Sequence, residues 1–164
     1  MRSGRLPQSV EWAIHVCLVL AQLAEDELLP APRLAQLFDL PAAYLAKVMQ
    51  DLAAAGVVRS VPGRRGGYRL HTAPQDVSVG RIVRATGLAD ALFVCTEIRQ
   101  RGPCAADPDQ CRTPCAVAAL MRRAEAAYLD VLDRVSLADL TMPGGRASAD
   151  GWLTTNVHLF KENP

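Results

Sequence analysis

At 164 residues, half of them hydrophobic but only 5% aromatic, the chain has room for one domain whose core is built from Ala, Leu and Val, a composition that suits packed helices. The formal net charge of +1 carries no global basic signal, so a case for nucleic-acid binding must rest on local charge placement. Strictly apolar runs such as Val16 to Ala21 are far short of a membrane span, and there is no internal repeat or low-complexity segment.

Residues 1–8 read as a short, loosely ordered lead. No apolar run followed by a cleavage site occurs there, so the expected location is cytoplasmic. From Val10 to Ala24 (VEWAIHVCLVLAQLA) apolar residues are too dense for a surface helix, which predicts a largely buried one with Ser9 as its cap. Glu11 and His15 lie one turn apart on it. By themselves they read as a first-turn acid favoured by the helix dipole and a partly buried packing residue, with Cys17 in the core.

Leu29-Pro30-Ala31-Pro32 predicts a break, followed by a short helix from Arg33 to Phe38, a turn at Asp39-Leu40-Pro41, and a longer helix from Ala42 to Ala55 that stops at Gly56. Leu45, Val48, Met49 and Leu52 share one face of that longer helix, while Tyr44, Lys47, Gln50 and Asp51 lie off it. Short helix, tight turn and longer helix form the geometry of a helix-turn-helix, although many helical hairpins share it.

The next stretch adds weight. Val57 to Val61 (VVRSV), a turn at Pro62-Gly63-Arg64-Arg65-Gly66-Gly67, and Tyr68 to His71 (YRLH) predict a β-hairpin with a glycine-rich tip. Arg59, Arg64, Arg65 and Arg69 all lie on it, and no acid occurs between Asp51 and Asp76. A basic hairpin directly after a recognition helix is the wing of a winged helix; the competing reading is a solvated basic face. The glycines match neither phosphate-loop pattern. Val77 to Thr86 predicts a further amphipathic helix.

Phe93 to Cys115 (FVCTEIRQRGPCAADPDQCRTPC) holds four of the five cysteines, Cys95, Cys104, Cys111 and Cys115, spaced C-x8-C-x6-C-x3-C among Gly, Pro, Asp and Gln. That composition predicts a loop. In a cytoplasmic chain, clustered thiols favour a soft metal, zinc or an iron–sulfur cluster, over disulfides; redox-labile thiols and inert cysteines are the other readings. The paired C-x2-C knuckles of common structural zinc sites are missing. Ala116 to Val135 predicts the longest helix, with Met121, Ala124, Tyr128, Val131 and Val135 at alternating steps of three and four: a coiled-coil-like seam or an ordinary core stripe. Ser136 is expected to cap a last turn, SLADL. The tail from Thr141, with His158 in it, is expected to be mobile.

These pieces resemble the Rrf-two family of iron–sulfur transcription regulators, with its IscR, NsrR and RsrR branches, and the RsrR branch most of all. The likeness covers about residues 8–140 and rests on VEWAIHVCLVL, YLAKVMQDLAAAGVVRSVPGRRGGYRL and FVCTEIRQRGP, with the long helix ending in SLADL. It implies a mostly α fold with a small β-hairpin wing: a winged helix-turn-helix over 8–88, a cysteine-rich cluster-binding loop over 89–115, a dimerisation helix over 116–140 and a mobile tail over 141–164. It also implies a homodimer that binds a double-stranded DNA operator, with no membrane partner. Tyr44, Lys47 and Gln50 would face the major groove. Arg64 and Arg65 would reach the minor groove or phosphate, with Arg59 and Arg69 on the wing strands.

The resemblance further implies an iron–sulfur cluster, [4Fe–4S] or [2Fe–2S], that answers to redox change or nitric oxide. Cys95 and Cys115 match cysteine ligands, Cys104 matches the middle cysteine of three-cysteine members, and Glu11 matches a carboxylate ligand supplied by the partner's first helix. Cys111 is the alternative ligand. No catalytic residue is expected. The rival readings are a zinc-stabilised DNA-binding protein and a thiol-based oxidoreductase. The latter lacks a C-x-x-C, and its three histidines are widely separated in the sequence.

Overall fold

The computed structural model describes residues 8–24, 26–63, 65–88 and 92–141. Among them, α1 (Gln8–Leu20), α2 (Ala31–Leu37) and α3 (Ala42–Ala54) lead into the strands β1 (Val58–Val61) and β2 (Gly67–Leu70); α4 (Val79–Val83), α5 (Ala116–Asp133) and α6 (Leu137–Thr141) follow. The result is a mostly helical fold with an antiparallel hairpin, a winged helix with a long helix appended. The expected tail, with His158, lies outside the described residues.

α1 is the centre of the core because it is apolar nearly all round. Ala13, Val16, Cys17, Val19 and Leu20 are buried with Leu34 of α2 and Leu45, Val48, Met49 and Leu52 of α3. The helix begins at Gln8, so Ser9 does not cap it; Ser9 lies within the first turn and is buried. It also ends before Ala24, as Gln22 turns back to donate from Nε2 to the Leu18 carbonyl (3.1 Å) and Glu27 accepts the Ala24 N–H (2.8 Å).

α2 starts earlier than expected because Pro32 sits in its first turn, where a missing N–H costs nothing. The turn to α3 runs through Asp39 at φ 50°, and the Leu40 N–H closes it onto Ala35 O (2.9 Å). α3 buries Leu45, Val48, Met49 and Leu52 and stops at Gly56, whose φ of 66° suits glycine; the Val57 N–H then bonds Leu52 O (2.9 Å). In the hairpin Val58 pairs with Leu70, Arg59 with Arg69, Ser60 with Tyr68 and Val61 with Gly67. Leu29 adds a short third edge by exchanging both backbone hydrogen bonds with Tyr68 (3.1 and 2.8 Å).

α4 is shorter than the expected 77–86. Val77 and Ser78 are extended because they pair with the backbone of Ser136: Val79 N–H bonds Val135 O (2.8 Å) and Leu137 N–H bonds Val77 O (2.9 Å). Ser78 then caps the helix by accepting the Arg81 N–H (3.1 Å). Beyond Val83 the helix widens over Arg84–Leu88, with Gly87 at φ 87°. α4 packs Val79 and Val83 with Val10 of α1 against Tyr128, Leu129 and Leu132 of α5. At α6, Ser136 accepts the Asp139 N–H (3.2 Å) while Asp139 accepts the Ser136 N–H (2.8 Å), a reciprocal cap.

Candidate nucleic-acid interface and cysteine site

α3 offers Tyr44, Lys47 and Gln50 to solvent while its other face fills the core. Tyr44 stands edge-on to Trp12 of α1, ring centres 5.2 Å apart, so the recognition face and the first helix touch through two aromatics. Lys47 pairs with Asp51 a turn later (3.5 Å), but its side chain is 71% exposed, so water screens the pair and the ammonium stays available to an anion.

On the wing, Arg59 and Arg69 stand directly opposite each other in register, two cations side by side on one face of the hairpin. Arg65 is exposed at the tip. Arg64 lies outside the described residues. At the far end of α3, the Arg81 guanidinium donates to Ala55 O and Gly56 O (both 3.0 Å), a cation on the negative end of the recognition helix.

The cysteine segment is a loop with two short turns, Ile98–Gln100 and Pro108–Cys111. It is tied to α5 at its start, where the Leu92 N–H donates to Glu125 Oε1 (2.9 Å). At its end Cys115 is the N-cap of α5, its Sγ accepting the Ala118 N–H (3.4 Å).

Cys95 and Cys115, remote in sequence, line one cavity of about 480 Å³ with Phe93, Val94, Ile98 and Arg99. Among the described lining residues, neither Cys104, which is exposed, nor Cys111, which is half-buried, appears. Among the described residues no three His, Cys, Asp or Glu side chains come together as a metal site within one chain. Cys17 is fully enclosed, and burial pushes its thiol up to about 12, so it is inert packing.

Glu11 and His15 sit elsewhere. Both are exposed, correcting the expectation of a partly buried packing histidine, and both line two cavities beside α1. One, of about 390 Å³, is closed by Val83, Tyr128 and Leu132; the other, of about 250 Å³, by Trp12, Phe38 and Leu40. The His15 ring faces Phe38 at 6.1 Å. His15 lies one helical turn from Glu11 and shares both cavities with it.

The Rrf2 family model, described as an iron-dependent transcriptional regulator, matches residues 6–143. The transcriptional regulator NsrR of Geobacillus kaustophilus is 32% identical over 138 residues, covering 83% of this chain and 88% of its own. NsrR of Bacillus licheniformis is 29% identical over 138 residues, covering 84% and 92%. Among solved structures, IscR of T. potens superposes with a TM-score of 0.62 at 23% identity over 92% of this chain and 96% of that one. CymR, the global cysteine regulator of B. subtilis, superposes at 0.60 with 22% identity over 89% and 98%; both likenesses concern the fold.

Proposed function

The chain belongs to the Rrf2 family of winged-helix transcriptional regulators, and from that premise we propose that it is a homodimeric DNA-binding regulator whose operator affinity is set by an iron–sulfur cluster at Cys95 and Cys115. The observation that carries the cluster reading is the shared cavity: of four clustered cysteines, these two line one largely apolar space at the foot of α5. Iron held by sulfur suits that space, because thiolates are its soft ligands and Cys115 is set as an acceptor at a helix N-terminus.

Two thiols are too few, and the remaining donors come from outside this cavity. Glu11, with His15 a turn further along α1, presents one oxygen and one nitrogen donor on an exposed face. In the dimer they belong to the partner's α1. The exposed apolar residues Val117, Leu120, Met121 and Val131 on α5 supply the surface that pairs the subunits. Cys104 is the third thiol and Cys111 its alternative.

The cluster, when bound, supplies one-electron redox chemistry and a target for nitric oxide. The chain's own residues do the reading. Tyr44, Lys47 and Gln50 enter the major groove, and Arg59, Arg65 and Arg69 meet phosphate or the minor groove. Trp12 follows Glu11 on α1 and touches Tyr44 on α3, so a change at Glu11 is transmitted to the recognition face through packed rings.

The test is anaerobic purification with iron and sulfide counts and a Mössbauer spectrum, followed by a mobility-shift assay on the promoter of its own gene. Cys95→Ala and Cys115→Ala are each expected to abolish stable cluster binding, while Cys111→Ala keeps it. A colourless protein with stoichiometric zinc and unaltered DNA binding would replace the cluster with a structural metal. Arg65→Ala is expected to lower the salt slope of binding by about 1 while sparing the cluster.

A further inference from the structure

Cys95 and Cys115 share a cavity only if the loop between them folds back on itself, and one side chain joins its two limbs. Arg99 donates from Nε to Glu97 Oε1 (2.5 Å) and from Nη2 to Glu97 Oε2 (2.8 Å), on the Cys95 side. From the same Nη2 it donates to the carbonyl of Thr113 (3.0 Å), two residues before Cys115. Its own carbonyl accepts the Ala106 N–H (2.8 Å), so backbone and side chain both cross the loop. Glu97, the carboxylate that aims it, holds a left-handed φ of 49°, a conformation rarely taken by a residue with a side chain.

Arg99 also lines the cavity of the two thiols. Its environment favours the cation: the Glu97 hydrogen bond first, then, against the opposing effect of burial, the charges of Cys111, Glu97 and Cys115, hold its pKa above the usual arginine value. A planar fork can grip a carboxylate with two nitrogens and still offer an N–H to a carbonyl; an ammonium has no such fork.

We propose that Arg99 is the positioning residue of the cysteine site, tying the Cys95 limb to the Cys115 limb and fixing one positive charge on the cavity both thiols line. The tie is a property of the chain before any metal arrives. The charge acts on the proposed cluster and rests on that reading. A cation beside thiolates makes an added electron less costly, so the cluster potential is higher with Arg99 than without it.

Two variants separate the two roles. In the full chain before metal loading, Arg99→Gln and Arg99→Lys are both expected to raise hydrogen exchange over residues 98–113 at least tenfold, since neither keeps the fork, while exchange in α3 stays as it was. In the loaded protein, Arg99→Gln is expected to lower the one-electron reduction equilibrium about tenfold, about 59 mV, while Arg99→Lys, which keeps the charge without the fork, stays closer to the native potential. Unchanged exchange in Arg99→Gln overturns the tie, and equal potentials in the two variants overturn the charge. If the native protein carries no iron or sulfide, the cluster reading fails and with it the charge, while the exchange measurement still decides the tie.

Discussion

The winged-helix unit and the cysteine segment with α5 use their apolar residues in opposite ways. In the first, Leu34, Leu45, Met49 and Leu52 are all 0% exposed. In the second, Val94, Ile98, Val117, Leu120 and Val131 are between 61% and 76% exposed. The first closes its core with its own elements. The second holds a long helix, about 27 Å at 1.5 Å per residue, of which only Ala118 is buried among the described residues. Apart from Tyr128, Leu129 and Leu132, which pack against α1 and α4, so little of its surface is covered that it leaves room for the second copy proposed above.

The two regions meet at α4. Arg81 grips the end of α3, while Arg84 forks onto Asp133 of α5, with Nη1 to Oδ1 at 2.7 Å, and Ser78 reaches the same carboxylate (3.5 Å). A Cβ on Gly80 would lie 2.1 Å from Asp133 Oδ1 and 3.0 Å from the Asp133 backbone nitrogen, so glycine permits this close seat. α4 thus contacts both the C-terminal end of α3 and α5.

The contrast is sharpest for Leu52→Ala against Leu120→Ala. Leu52→Ala opens a cavity in a closed core and is expected to cost about 2–5 kcal/mol in denaturant unfolding. Leu120→Ala is expected to cost less than about 0.5 kcal/mol in dilute protein, yet to weaken self-association in sedimentation equilibrium. Unaltered association, or equal costs at infinite dilution, would break the comparison.

Gly80→Ala tests the junction. The added methyl must push Asp133 and its backbone aside, so a loss of about 1–3 kcal/mol is expected, with weaker coupling between cluster state and operator affinity in a mobility-shift titration. Arg81→Met removes the donor from two carbonyls at the end of α3. It is expected to cost about 1 kcal/mol in thermal unfolding and to weaken operator binding without touching iron content.

A small effect is expected at Asp133→Asn, well under about 1 kcal/mol for a surface pair at neutral pH. Its signature is pH. The hydrogen bond from Arg84, and next its charge, hold the Asp133 carboxyl below its usual value of 3.8, against the opposing effect of burial. A depressed carboxyl contributes stability that is present above the unfolded value and lost as pH falls through the folded one. Acid unfolding curves of native and variant protein should therefore differ above pH 3.8 and converge below it; a gap persisting at lower pH would remove Asp133 from this account.

The sequence by itself determined the elements that depend on near neighbours. Apolar density made α1 a buried helix, the 3.6-residue stripe of α3 separated Leu45, Val48, Met49 and Leu52 from Tyr44, Lys47 and Gln50, and Gly56 marked where α3 ends. These follow from helix periodicity and backbone preference, which act within a few residues. Tertiary structure decided what each exposed position meets. Ser9 carried the chemistry of a cap but was drawn into the core. His15 looked like packing until its face of α1 was left open. Val77 and Ser78 looked helical, but the backbone of Ser136 took them as an extended pair. Cysteine spacing alone left Cys95, Cys104, Cys111 and Cys115 equivalent. Only the folding back of the loop, held by Arg99 on Thr113, put Cys95 and Cys115 in one cavity, because contacts between distant residues depend on chain path and not on local pattern.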